Sequence, residues 1–135
     1  MATKKKMLQA AAGNAGGGGE PGLDVTDVFS TYLYTGNGST QTITNGIDLA
    51  GEGGLVWTKC RSNTYNNTLI TDANGTQNYL YSNTTNALAN FFNLHISSYN
   101  SDGYSFGAAA DINANGENYA SWTFRKAPKF FDVVT

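Results

Sequence analysis

Apolar and polar residues alternate along most of the chain from Leu23 onward, with a period near two rather than the 3.6 of a helix. Short runs of this kind, separated by Gly and Asn pairs, are typical of strands and turns. The pattern predicts strands at Val28–Tyr34, Thr40–Thr44, Leu55–Cys60, Thr68–Thr71, Asn78–Ser82, Phe91–Ser97, Tyr104–Ala108, Tyr119–Arg125 and Phe130–Val134. Short strands at this spacing predict an all-β fold, an antiparallel β-sandwich or jelly-roll.

Turn residues and alternation give more detailed expectations. Residues 35–39, with the sequence TGNGS, accept positive φ cheaply, so we expect Thr40–Thr44 to return as the second arm of a hairpin. Residues 84–90 form either a single helical turn or a loop. Alternation in two strands turns His95 outward and predicts these core residues: Phe92, Leu94, Ile96, Ala120, Trp122 and Phe124.

The chain divides into three predicted segments: residues 1–22, 23–129 and 130–135. In the first segment, the Gly-rich linker at 13–19 follows a short stretch that is too short to form a stable helix alone and begins with Lys4, Lys5, Lys6, Met7, Leu8 and Gln9. This stretch is either an anchor arm that binds a neighbouring subunit or a frayed terminus. Residues 23–129 are the sandwich. Residues 130–135 can be aligned with 28–33, which predicts a C-terminal strand or the start of a following module.

Composition narrows the classes of function. Aromatic residues make up 13% of the chain, enough for a core, which excludes a disordered protein. A net charge of −2 disfavours a nucleic-acid binder with a basic surface, and the single Cys excludes a disulfide framework. The basic start is not followed by an apolar run long enough for a secretion signal or a membrane span. We therefore expect a protein made in the cytoplasm, with no membrane partner.

Residues that carry chemistry are sparse, so the sequence predicts no enzyme and no cofactor. His95 is expected to be exposed to solvent, and Cys60 is expected to be a small buried apolar residue. The acidic residues occur singly or in turns rather than as catalytic pairs. Residues 111–116 fit the first half of a calcium loop, but Trp122 stands where the bidentate Glu is required. The preferred interpretation of that segment is a hairpin turn at Asn115-Gly116.

Glycan binding is a further possibility that the aromatic residues raise. Exposed rings stack on sugars, and the tyrosines available for this are Tyr65, Tyr79, Tyr81, Tyr99 and Tyr104. Aromatic residues of a β-sandwich also pack in the core or across strands, which is the alternative interpretation.

Three stretches resemble modules of virion proteins from tailed bacteriophages, especially phages of marine and cyanobacterial hosts. They are residues 34–43 with 46–49 (YTGNGSTQTI and GIDL), residues 53–61 (GGLVWTKCR), and residues 100–107 with 119–134. The opening residues 5–14 also look like the start of such proteins. Together these stretches cover most of the chain.

The resemblance implies a concanavalin-like or jelly-roll sandwich in a tail-fibre or other appendage protein, with no enzymatic activity. It implies a location in the virion, with other virion proteins and copies of the same chain as partners. We expect residues 1–22 to dock onto another virion protein while the sandwich forms the body. The alternatives are a carbohydrate-binding module that recognises a host-surface glycan, and a capsid decoration protein.

Overall fold

The structure is a computed structural model that describes residues 22–91 and 94–134. Nine strands form within these ranges: β1 (Phe29–Thr35), β2 (Gln41–Thr44), β3 (Gly54–Cys60), β4 (Thr68–Thr71), β5 (Asn78–Tyr81), β6 (Ala89–Asn90), β7 (Ile96–Asn100), β8 (Gly103–Phe106) and β9 (Asn118–Arg125). Three single helical turns accompany them: α1 (Val25–Val28), α2 (Leu49–Glu52) and α3 (Ala110–Asn113). Carboxylates begin two of the turns, because Asp24 accepts from the Thr26 amide at 2.9 Å and Asp48 accepts from the Gly51 amide at 3.0 Å.

The strands form two antiparallel sheets that pack face to face. The larger sheet has the order β1-β9-β3-β4-β5-β6, and the smaller has the order β2-β8-β7. All strand pairs are antiparallel, and the long strand β9 lies between β1 and β3, second from one edge of the larger sheet. Both sheets contribute buried apolar side chains to one core. The predicted all-β antiparallel sandwich is confirmed.

The core is unusually rich in hydroxyl groups. Tyr104, which is 1% exposed, donates to the Ser121 hydroxyl at 2.7 Å, so the two sheets are joined by a buried hydrogen bond. Tyr34 donates to the Ile112 carbonyl at 2.7 Å, and Tyr119 donates to the Ala110 carbonyl at 2.6 Å. Burial raises the pKa of the Tyr104 hydroxyl above its ordinary value, which keeps it protonated as a donor. Directional bonds therefore hold the sheets in register alongside apolar packing.

A close approach of backbones fixes the turn after β1. A Cβ added at Gly36 would stand 2.2 Å from the Ala114 carbonyl oxygen, so only glycine fits there. The fully buried Asn113 amide donates to the Ser39 carbonyl at 2.5 Å and to the Gly107 carbonyl at 2.8 Å, and its oxygen accepts from the Asn37 amide at 2.9 Å. The motif GNG at residues 36–38 thus joins the turn to α3 and performs a structural role.

Two expected hairpins do not form. Strand β2 pairs with β8 in the smaller sheet, whereas β1 pairs with β9 in the larger one. The turn at residues 36–39 therefore carries the chain across the sandwich instead of reversing it within one sheet. Gly116 does adopt a positive φ of 81°, but the Asn115-Gly116 turn connects α3 to β9. The reason is the same in both cases: a local turn signal marks a change of direction and does not specify which strand is the partner.

The predicted orientation of β9 is wrong. Tyr119, Ser121 and Thr123 are fully buried and face the smaller sheet, whereas Trp122 and Phe124 are half-buried on the opposite side. Ala120 is buried at 6% exposed, but on that same opposite side. The alternation of bulky apolar residues was a poor guide here because buried hydroxyls with partners stand at the inward positions.

The strand predicted at Phe91–Ser97 begins later, at Ile96. Ile96 is 1% exposed, which confirms it as a core residue, but Leu94 is 43% exposed and is not part of the core. Leu94 precedes the strand in a turn, so the alternation of a strand does not apply to it. Phe92 lies outside the described residues. Residues 84–88 form a loop, as one of the two expectations held.

The end of the chain forms no strand at Phe130–Val134 in the part that the structure describes. An isolated bridge joins Ala127 to Phe131 instead, and the Phe131 ring packs against Phe124 with centroids 5.3 Å apart. Lys129 adopts a positive φ of 63° in the tight turn between them. A following module stays a prediction, and the anchor arm lies outside the described residues except for Gly22.

Candidate binding surface and buried polar cluster

The side of the larger sheet that faces away from the sandwich carries large apolar residues in register. We call this side the outer face and define it by eight side chains: Phe29, Leu33, Leu55, Trp57, Leu69, Leu80, Trp122 and Phe124. The pairing of strands arranges them in three rows. The first row runs Phe29, Phe124, Leu55 and ends at Thr71. The second begins at Thr31 and runs Trp122, Trp57, Leu69, Leu80. The third contains Leu33, followed by Ala120 and Lys59.

Two tryptophans stand at the centre of the outer face. The rings of Trp57 and Trp122 lie 5.2 Å apart at an angle of 44°, as cross-strand neighbours. The indole nitrogen of Trp57 donates to the Ser82 hydroxyl at 3.2 Å, so its polar edge already has a partner. At one end of the face, Phe29 and Phe124 pack at 4.9 Å. The outer face thus carries two cross-strand aromatic pairs.

The outer face combines exposure with very little charge. Leu33 is 59% exposed and Leu80 is 37% exposed, while the other six apolar side chains are half-buried. Lys59 carries the one charge among the outward positions of β1, β9, β3, β4 and β5, all of which the structure describes. Antiparallel sheets commonly have a polar outward face, so the composition of this face makes it a candidate binding surface.

A second group of functional side chains is buried between the sheets. His95 Nε2 lies 2.9 Å from Asp111 Oδ2, and the Thr68 hydroxyl donates to the same oxygen at 2.7 Å. Because an ionised carboxylate only accepts, His95 donates through Nε2. Tyr79 stacks on the imidazole with centroids 4.0 Å apart. His95 is 2% exposed, so the prediction of a solvent-facing histidine is wrong; it precedes β7 in a turn, where strand alternation does not hold.

The electrostatics of this cluster favour a stable ion-pair-like contact. Burial raises the pKa of Asp111, but the hydrogen bonds and charge of His95 together with the Thr68 hydroxyl outweigh it, and the pKa of Asp111 is below its ordinary value. His95 Nδ1 is buried and has no hydrogen-bond partner among residues 22–91 and 94–134. Tyr79 stacks on one face of the ring, and Asp111 Oδ2 accepts from both His95 and Thr68, so the contacts of this cluster are made within the fold.

The half calcium loop at residues 111–116 uses its oxygens for the fold. Asp111 bonds His95 and Thr68, and the Asn113 oxygen accepts from the Asn37 amide. Within the described residues, no group of three or more His, Cys, Asp or Glu side chains is arranged to hold a metal ion. Cys60 is buried at 1% exposed, which confirms the prediction for it.

The other residues singled out from the sequence do not meet in one site. Lys4, Lys5, Lys6, Met7, Leu8 and Gln9 lie outside the described residues. Tyr79 and Tyr104 are buried in the core, and Tyr65, Tyr81 and Tyr99 are half-buried against it, so these five tyrosines form no exposed stacking platform. Tyr99, for example, donates to the Ile70 carbonyl at 2.9 Å.

Sequence reasoning missed the outer face, although a signal was present. Strands β1 and β3 carry apolar residues at both parities, as in Tyr32-Leu33-Tyr34 and Leu55-Val56-Trp57. Strands that read as continuous apolar runs are typical of sheets covered on both faces.

The sandwich as a whole matches a known sequence family. The model of a domain of unknown function, DUF7483, matches residues 24–129. The chain belongs to this family. The DUF7483 match spans β1 to β9 and therefore includes both the outer face and the buried cluster. No curated protein and no solved structure matches the chain. Among the described residues of this DUF7483 domain, no helix is long and apolar enough to cross a bilayer.

Proposed function

We propose that this DUF7483 chain is a non-enzymatic structural protein of a tailed-bacteriophage virion, a tail fibre or similar appendage, that acts by packing against other protein surfaces. The observation that carries the proposal is the outer face, which presents eight large apolar side chains and one charge. Exposure of this apolar area to water is unfavourable in free energy, and a partner surface that covers the area removes that unfavourable contribution.

The resemblance to phage virion modules supports the same function. Two of the three resembling stretches contain the central tryptophans of the outer face, Trp57 within residues 53–61 and Trp122 within residues 119–134. The remaining stretch, residues 34–43 with 46–49, includes the GNG turn, which Asn113 stabilises by hydrogen bonds. The resemblance therefore covers residues of the surface as well as residues of the fold.

The buried cluster supports a structural rather than an enzymatic role. Its His95, Asp111 and Thr68 are a combination that acid–base catalysis also uses, yet all three side chains are buried within the sandwich. Catalysis requires a proton donor or acceptor within hydrogen-bond reach of a substrate. Buried side chains whose hydrogen bonds are made to one another contribute to stability.

The attachment to the particle is assigned to residues 1–22, which would dock onto another virion protein while the sandwich stands away from it. The test is quantitative mass spectrometry of purified particles of the phage that encodes the chain. We expect the full chain to be incorporated and a chain lacking residues 2–19 to be lost from particles. A control that replaces Gly16–Gly19 by serines keeps the arm and should be incorporated normally.

The copy number per particle separates the two structural assignments. A few copies, in proportion to the tail, support an appendage, whereas a number in proportion to the major capsid protein supports capsid decoration. Absence of the chain from particles contradicts both.

Binding of a host-surface glycan is a second candidate, favoured by the outward-facing pair of Trp57 and Trp122. Sugars stack on exposed aromatic rings, and the isolated sandwich can be tested on a glycan array and on host-surface polysaccharide. Binding that is lost in Trp122→Thr and kept in Leu88→Thr, a substitution of an exposed leucine outside the outer face, supports this candidate.

A further inference from the structure

We infer that the outer face is the site at which a second copy of this chain binds, with the two larger sheets packed face to face about a two-fold axis. The inference deepens the proposed function and rests on it for the assumption that the copies meet in a virion. Whether the copies bind each other can be measured in solution without a particle. Three features carry the inference: the size of the face, its lack of charge, and the position of the charges at its ends.

The size of the face fits a small binding patch, at the low end of specific interfaces. Five neighbouring strands give a width of about 19 Å, and three rows along the strands give a length of about 13 Å between Cα atoms. The Cα atoms of the face thus outline at most about 250 Å², and with its side chains the patch lies within the few hundred Å² of the largest apolar patches that monomers expose, which are often functional.

The composition fits a protein partner better than a sugar. Leu55 and Leu69 flank Trp57, and the Trp57 indole nitrogen already donates to Ser82. Phe124 and Thr31 flank Trp122. The tilt of 44° between the tryptophan rings also departs from a flat stacking platform. A glycan site requires free polar groups beside the rings to bind hydroxyls, whereas a protein interface has an apolar, aromatic centre.

The charges at the two ends of the face fit a second copy. Lys59 lies in the third row, about 13 Å along β3 from Leu55 in the first row. At the first-row end, Phe131 packs on Phe124 and is followed by Asp132, which is exposed. A two-fold axis that passes along the tryptophan row reverses the strand direction. It brings Lys59 of each copy to the end of the other copy that carries Asp132.

This arrangement brings Lys59 of each copy close to Asp132 of the other. At that end Lys126 already pairs with Asp72, and Lys129 is exposed three residues before Asp132. In the single chain, the Lys59 ammonium donates to the Cys60 carbonyl at 3.2 Å. It can exchange this weak contact for Asp132 of the second copy. The central rows would meet as Trp57 on Trp57 and Trp122 on Trp122, and Leu33 would meet Phe29. A face with one charge can bind itself without a repulsive cost.

The test is sedimentation velocity on the full chain across a wide range of concentration. We expect the wild-type chain to dimerise and Leu33→Thr to weaken the dimer by more than about tenfold, because Leu33 is exposed and lies in the interface. The matched control is Leu88→Thr, which alters a leucine that is 47% exposed outside the face and should dimerise like wild type.

The charge pair gives a second measurement that does not depend on apolar substitutions. Lys59→Glu should weaken the dimer at least about fivefold, since the two-fold axis repeats the pair, and Lys59→Glu combined with Asp132→Lys should restore it. Both sites are exposed, so both variants should fold.

Several results would overturn the inference. They are a wild-type chain that stays monomeric at the highest concentration, equal weakening by Leu88→Thr and Leu33→Thr, and a double charge variant as weak as Lys59→Glu alone. A chain that dimerises only after deletion of residues 2–21 would show that those residues occupy the face instead. If the chain is a monomer and its tryptophan fluorescence changes when polysaccharide is added, the face binds a glycan instead. A dimer in solution that is absent from particles would support this inference and contradict the proposed function.

Discussion

The two faces of the larger sheet differ in their polar residues: the inner face combines apolar side chains such as Val56 and Ile70 with buried hydroxyl groups, and the outer face is mostly apolar. On the inner face, Thr58, Thr68, Ser121 and Thr123 are buried hydroxyl residues, while the outer face is dominated by tryptophan, phenylalanine and leucine. Sheets with one solvated side normally place apolar residues inward and polar residues outward. The inner face is therefore organised by hydrogen bonds as well as by apolar packing, and the outer face is organised by apolar area.

This difference separates two roles within a single sheet. The inner face joins the sheets through directional contacts such as Tyr104 to Ser121, which specify one register. The outer face contributes little of that specificity but offers the larger unused apolar surface. Substitutions on the inner face are therefore expected to lower the free energy of unfolding, and substitutions on the outer face to change association.

The largest effect is expected from Asp111→Ala on the inner side. The substitution leaves His95 Nε2 and the Thr68 hydroxyl buried without an acceptor, which should lower the free energy of unfolding by about 3 to 5 kcal/mol. Urea unfolding followed by tryptophan fluorescence measures it. Asp102→Ala, at an exposed acidic residue, is the control and should change stability by less than about 0.5 kcal/mol. Equal stability of the two variants would contradict a structural role for the cluster.

A smaller loss is expected when the bond between the sheets is removed. Tyr104→Phe deletes the donor and leaves the buried Ser121 hydroxyl unpaired, for a cost of about 1 to 2 kcal/mol. In a double-mutant cycle, Tyr104→Phe with Ser121→Ala should cost less than the sum of the single variants. Tyr65→Phe, at a half-buried tyrosine, is the matched control. Strict additivity in the cycle would mean that the hydroxyl pair does not contribute.

The decrease in unfolding free energy at low pH should also depend on the cluster of His95, Asp111 and Thr68. The pKa of Asp111 is lowered on folding, so its contribution is fully present above the unfolded value of about 3.9 and is lost as pH falls below it. The slope for one such group reaches about 1.4 kcal/mol per pH unit. Asp111→Asn should therefore flatten the dependence of unfolding free energy on pH below about 4.

Glu117 also contributes to the dependence of unfolding free energy on low pH, and its substitution is the control. The Ser62 and Asn63 side chains hydrogen-bond the exposed Glu117 carboxylate and lower its pKa. Glu117→Gln should remove a separate and weaker acid dependence. If Asp111→Asn leaves the acid slope unchanged and Glu117→Gln abolishes it, the buried pair is not the source.

The smallest effect on stability is expected at the outer face. Leu33→Thr should change the unfolding free energy by less than about 0.5 kcal/mol, because Leu33 is 59% exposed and Thr suits a strand. Ile70→Thr, at 2% exposed on the inner face, should cost more than about 2 kcal/mol. Circular dichroism melts of both variants at a low, monomeric concentration measure the contrast. A similar loss in both would show that the outer face is part of the folding core.

The positions of most strands were predictable because their signal is local. Thr68–Thr71 was predicted residue for residue, and β3, β8 and β9 within one or two residues, since alternation and Gly or Asn turns bound each run. Their partners were not predictable. The TGNGS turn after β1 fits a hairpin equally well, and only the contacts of Asn113 and Gly36 decide that the chain crosses to the other sheet.

The outer face could be predicted only by knowing which side of β9 is buried, and the alternation of residues does not specify that side. Alternation divides β9 into two sets of residues, but it does not say which set faces inward when Tyr, Ser and Thr have buried partners. The inward placement of Tyr119, Ser121 and Thr123 is decided by acceptors and donors that other elements supply, such as Ala110 to Tyr119 and Asn45 to Thr123. The exposed position expected for His95 failed for the related reason that Asp111 is distant in sequence.

By itself the sequence determined the class of this protein: one all-β sandwich, low in charge, with local strand and turn signals strong enough to place its elements. The tertiary structure alone decided which strands pair, which side of each strand is buried, and therefore that Trp57 and Trp122 stand together on an outer face. The physical reason is that strand formation depends on neighbours in the chain, whereas pairing and facing depend on hydrogen-bond partners and packing surfaces that arrive from far along it.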